Sequence, residues 1–167
     1  MKKKIFGCLS LMIACLSVLV LAVGCGVKEQ AFSSDSGVSV TLTNEFEETP
    51  MTGVTYCVSS KNIVFMAQKE SLELLEEYGY NTEMSLSEYA QICIDNNSLN
   101  SIVSEDIDKN LIYFVYTAQS SGVEFSYYAF VKKGTDAFWL CQIACYSVSE
   151  DNLKDQIFDW ASTIAVV

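Results

Sequence analysis

Apolar and polar positions along the chain change period several times, and each change predicts an element. Residues 5–23 form one nearly unbroken apolar run behind Lys2, Lys3 and Lys4. Residues 26–39 are small and polar with no apolar period, which predicts a flexible tether, with folded structure beginning near Val40. Runs 55–59 and 63–68 are β-prone and joined by Ser60-Lys61-Asn62, the pattern of a hairpin. Residues 71–78 read as a short helix stopped by Gly79. Ser85-Leu86-Ser87-Glu88 then forms a capping box, followed by a helix with Leu86, Ala90, Cys93 and Asn97 on one face beside Tyr89.

Three long strands follow at about 111–119, 123–132 and 137–146, with 101–105 pairing ahead of them. Their connectors, 120–122 and 132–136, are short enough for an antiparallel meander. Ser149 reads as the cap of a last helix, with Glu150 and Asp151 in its first turn and a core stripe of Leu153, Ile157, Trp160, Ala161 and Ile164. In the first meander strand Leu111, Tyr113 and Val115 alternate with Ile112, Phe114 and Tyr116. In the last, Trp139, Cys141, Ile143 and Cys145 alternate with Phe138, Leu140, Ala144 and Tyr146. A sheet apolar on both faces must be covered on both. The expected class is therefore α+β: an antiparallel β-sheet meander flanked by helices on both faces, an α/β/α sandwich.

The N-terminal order of basic head, apolar middle and small residue before a cut is the secretory pattern. It ends in Leu21-Ala22-Val23-Gly24-Cys25, which resembles the lipobox of bacterial lipoproteins, with Ala22 where Leu is usual. That resemblance implies cleavage before Cys25, whose sulfur carries lipid, and so a domain on the extracytoplasmic side of the cell membrane. The competing reading is an uncleaved anchor, since 19 apolar residues approach the ~20 that span a bilayer. Gly24 directly before Cys25 favours cleavage. The expected organisation is a signal at 1–24, a tether at 25–39 and a single domain at 40–167.

Without the signal, seven lysines face 21 acids, a charge of −14, and the chain has no His and no Arg. Nucleic acid is a poor partner for such a surface. Missing His removes the commonest general base and the commonest transition-metal ligand. Cys57, Cys93, Cys141 and Cys145 lack the short paired spacing of a zinc site and read as small buried side chains. Four residues along a strand hold Cys141 and Cys145 ~13 Å apart, too far for a disulfide. Only Cys57 or Cys93 with a strand cysteine is feasible. Asp106-Ile107-Asp108-Lys109-Asn110 begins like a calcium loop, but Leu111 and Thr117 stand where Gly and Glu are required. No metal, cofactor or catalytic residue is expected.

The order of hairpin, Ser85-Leu86-Ser87-Glu88-Tyr89-Ala90 helix, aromatic three-strand meander and closing helix resembles the PsbP-like group, and within it small bacterial lipoproteins of unknown function. The resemblance covers roughly 40–166 and implies a binding or assembly factor anchored through acylated Cys25. An envelope protein or a small ligand is the expected partner. Two other readings stay open: a hydrolase or redox enzyme using carboxylates or Cys, and a receptor for a small apolar ligand. The latter would use a candidate groove of Tyr116, Tyr128, Phe130, Phe138 and Tyr146, the alternative to plain core packing.

Overall fold

A computed structural model describes residues 26–167. The signal, the lipobox and Cys25 lie outside the described residues. The chain runs β1 (Glu29–Ser33), β2 (Val38–Thr43), β3 (Glu47–Glu48), β4 (Tyr56–Ser59), β5 (Ile63–Ser71), α1 (Leu72–Glu77), α2 (Leu86–Asn96), β6 (Ser104–Asp106), β7 (Leu111–Ser120), β8 (Val123–Lys133), β9 (Ala137–Tyr146), a 3-10 turn (Ser147–Ser149), α3 (Glu150–Ser162) and β10 (Ala165–Val166).

Seven strands form one sheet in the order β3-β4-β5-β9-β8-β7-β6, with every neighbouring pair antiparallel. The meander β7-β8-β9 runs from β7, beside the edge strand β6, to β9 at the centre. Ser121 and Gly122 turn β7 into β8 with φ of 50° and 80°, while Ser120 and Val123 pair across the turn. Two positive φ values in a two-residue loop match the right-handed twist of the flanking strands, and glycine takes one of them without steric cost.

Both faces of this sheet are covered. On one, α1 and α2 bury Leu75, Tyr89, Ala90, Cys93 and Ile94 against Phe114, Tyr116, Phe138 and Leu140. The capping box of α2 is present: Ser85 Oγ accepts the Glu88 N–H at 3.2 Å, and Glu88 Oε2 accepts the Ser85 N–H at 2.8 Å. On the other face, Ile157, Phe158, Trp160 and Ala161 of α3 pack on Tyr128, Phe130, Trp139, Cys141 and Ile143. Phe158 belongs to this core as well as the stripe read from the helical period.

The second face also holds an element absent from the expectation. Residues 29–33 are not part of a tether but strand β1, paired with β2, and β10 closes a three-stranded sheet in the order β1-β2-β10. Phe32, Val38, Val40 and Leu42 from it are buried in the same core as α3. The polar composition of 26–39 hid this strand because β1 is an edge: four of its five residues are exposed and only Phe32 points inward. Nor does Ser149 cap α3, since its side chain makes no cap hydrogen bond and the 3-10 turn leads directly into the helix.

Candidate functional site

Strand alternation decides what becomes of the predicted groove. Tyr128 pairs with Ile143 and Phe130 with Cys141, which places both on the α3 face. Tyr116 pairs with Tyr127, one position out of phase, and lies with Phe138 under α2. Tyr146 shares the Tyr116 side, near Phe125 at a centroid distance of 4.9 Å. The five rings are thus split by the sheet and line no common groove. Four of them, Tyr116, Tyr128, Phe130 and Phe138, are buried core.

The cysteines are split too. Cys141 and Cys145 are buried with α3, whereas Cys57 packs with Val64, Met66 and Ala144 on the other face and Cys93 sits on α2. All four are free. Burial pushes the thiols up, to about 11 for Cys57, about 12 for Cys141 and about 11 for Cys145.

Two hollows among the described residues bear on function. The smaller, about 10 Å³, lies between α1, α2 and β5 and is lined by Glu70, Cys93, Tyr80 and Asn96 among others. It has room for about one water. Glu70, only 5% exposed, accepts the Tyr89 hydroxyl at 3.0 Å there, a bond that ties α2 to the sheet.

The larger is a cleft of about 460 Å³ at the β7 side of the α3 face. Its floor is Tyr113, Val115 and Tyr128, three residues of one sheet face. One wall is the connector from α2 to β6, with Asn100, Ser101 and Ile102, and Ser104 at the start of β6. Ser101 Oγ donates to the Val115 carbonyl at 2.7 Å and pins that connector to the sheet. The other wall is α3, where Glu150, Lys154 and Phe158 stand four residues apart and so form one stripe. The ring of Phe158 meets Tyr113 edge-on at 4.9 Å and Tyr128 at 5.9 Å, which fixes the apolar end.

Glu150 is the best-defined polar group of the cleft. Tyr128 OH donates to Oε1 at 2.5 Å and Ser126 Oγ donates to Oε2 at 2.6 Å. Ser126 Oγ also lies 3.0 Å from Ser147 Oγ in the turn before α3. Burial and the bond to Glu150 both push the Tyr128 hydroxyl above its ordinary value, so it remains a donor. Sequence reasoning assigned Glu150 to the helix dipole alone. The missed signal was in β8, where Ser126 and Tyr128 put two hydroxyls on one inward face that burial obliges to find an acceptor.

No family model and no curated protein matches the chain. Among solved structures it is similar in fold to one from Bacteroides thetaiotaomicron VPI-5482, with a TM-score of 0.55 and 12% identity over 82% of this chain. The chain spans 48% of the length of that structure. It is also similar to cyanobacterial PsbP (CyanoP) from Synechocystis sp. PCC 6803, with a TM-score of 0.48 and 13% identity over 89% of this chain and 99% of that one. For LpqN of Mycobacterium tuberculosis, described as involved in cell envelope biogenesis, the TM-score is 0.48 and the identity 9%, over 84% of this chain and 91% of that one. The element order on which the PsbP-like resemblance rested, from hairpin through capped helix and meander to closing helix, is the order of the structure.

Proposed function

We propose that the chain is a binding domain held on the outer side of the cytoplasmic membrane by an acylated Cys25, and that it takes its ligand in the cleft beside α3. The cleft carries this reading. Its volume of about 460 Å³ falls within the ~300–1,000 Å³ of small-molecule sites. Its make-up also fits, with aromatic and aliphatic side chains below and a few placed polar groups at the walls. Binding is favoured over a cysteine or two-carboxylate reaction because the lining contains one carboxylate, Glu150, and no thiol. The three raised thiols are buried and protonated near neutral pH, where a thiol is a poor nucleophile. No helix among the described residues is long and apolar enough to cross a membrane. Attachment in this reading therefore falls to the segment that ends at Cys25.

Two measurements test the two halves of the reading. Metabolic labelling with a fatty acid in intact cells is expected to mark the wild-type chain and not Cys25→Ala; equal labelling overturns the anchor. Mapping with small organic solvents by NMR on the full chain in detergent is expected to concentrate shift changes at Tyr113, Val115, Tyr128 and Phe158. Changes spread evenly over the surface overturn the cleft.

A further inference from the structure

We propose that the ligand of the cleft is a zwitterion of amino-acid size with an apolar side chain, its ammonium held by Glu150 and its carboxylate by Lys154. The inference rests on the cleft being the binding site and adds the chemistry of what enters it. Glu followed four residues later by Lys on a helix ordinarily forms an intrahelical ion pair. Here that pair is not made. Ser126 and Tyr128 draw the Glu150 carboxylate inward by its two oxygens, and none of the three ion pairs among the described residues includes Glu150 or Lys154.

The two hydroxyls fix Glu150 in place but, being neutral, do not cancel its charge. Lys154 is left one helical turn further along the same wall, with ~5–6 Å between the two Cβ positions. The cleft therefore presents a preorganised negative group and a positive one, side by side, above an apolar floor. A neutral apolar ligand would desolvate both charges and pair neither, which is costly. A simple amine would meet Lys154, and a simple carboxylate would meet Glu150. A zwitterion satisfies both.

The stripe order then orients the ligand. Phe158 lies one turn beyond Lys154 and, with Tyr113 and Val115, receives an apolar side chain. Ile102, 78% exposed on the opposite wall, offers apolar surface that such a side chain would cover.

The test is an NMR titration of the full chain in detergent with three probes of similar bulk: L-phenylalanine, phenethylamine and 3-phenylpropionate. L-Phenylalanine is expected to shift the cleft residues saturably, with a Kd about tenfold or more below either half-charged analogue, the usual worth of one charge-assisted hydrogen bond. Lys154→Met is expected to weaken L-phenylalanine by about the same factor and, by removing the like charge, to leave phenethylamine bound as tightly or more tightly. Glu150→Gln is expected to weaken L-phenylalanine and phenethylamine together. Lys154 is exposed, so Lys154→Met carries the test should Glu150→Gln fail to fold. Equal affinity for the amine or the acid, an unchanged L-phenylalanine Kd in Lys154→Met, or no cleft shifts with any probe overturns the zwitterion. The solvent map of the same protein then tells whether the cleft itself stands. Solvents gathered there leave a site for other chemistry, and solvents spread evenly remove the site as well.

Discussion

The four cysteines among the described residues are buried packing residues, and their chemistry follows from that. Cys141 lies at the middle of the central strand β9 and pairs with Phe130 on one side and Ala67 on the other. Its thiol, pushed up to about 12, and those of Cys57 and Cys145, at about 11, carry very little thiolate at pH 8. Iodoacetamide at pH 8 should therefore leave these three residues unmodified in the native protein and alkylate all three in guanidinium, as read by peptide mass spectrometry. Rapid labelling of the native chain would contradict the burial argument. The polar counterpart is Glu150. Its identity as a carboxylate was plain in the sequence, but its partners Ser126 and Tyr128 are more than 20 residues away and meet it only when α3 folds back onto β8.

Among the elements, α2 and α3 begin in different ways although both follow a serine. In α2 the N–H groups of Ser85 and Glu88 are each satisfied by the other residue's side chain. Removing that bond with Ser85→Ala should cost about 1 kcal/mol in urea unfolding. Ser149 makes no such bond, and Ser149→Ala should change stability by less than about 0.5 kcal/mol. Equal effects of the two substitutions would refute this distinction. The hydrogen bonds from Ser85 hold the Glu88 carboxyl below its usual range. The support it lends is thus present above that range and is lost as pH falls through the lowered value. Local pattern announced α2 correctly because a capping box involves four consecutive residues. It placed α3 correctly but misjudged its cap, because a serine before acidic residues looks the same whether or not its hydroxyl turns to the helix.

For the whole molecule, one sheet divides two cores, and the division sets the response to alkali. Cys57, Cys141 and Cys145 have raised pKa values through burial, and so do Tyr116 on one face and Tyr128 on the other. In the unfolded chain these thiols ionise near pH 9 and the phenols near 10, while in the folded chain they keep their protons. The stability they contribute is complete below those unfolded values and falls as pH rises beyond them, because the unfolded state then binds fewer protons than the folded one. The urea midpoint should accordingly decline between about pH 8.5 and 10.5. A flat profile across that range would contradict it.

What the sequence determined by itself was whatever rests on neighbours along the chain. The period of two in β7, β8 and β9 made both faces apolar and so required cover on each side. The short connectors made the meander antiparallel, and four consecutive residues started α2. What only the tertiary structure decided depends on which residues meet across the sheet. Register put Tyr128 and Phe130 on the opposite face from Tyr116 and Phe138, which dissolved the groove read from aromatic content. Pairing of β1 with β2 turned a polar segment into an edge strand, since backbone hydrogen bonds and one inward Phe32 suffice where composition shows no period. The cleft is the same kind of fact. Tyr113, Tyr128, Ser101 and Glu150 are far apart along the chain and become neighbours only when it folds, where Ser126 and Tyr128 of β8 donate to the two oxygens of Glu150 on α3.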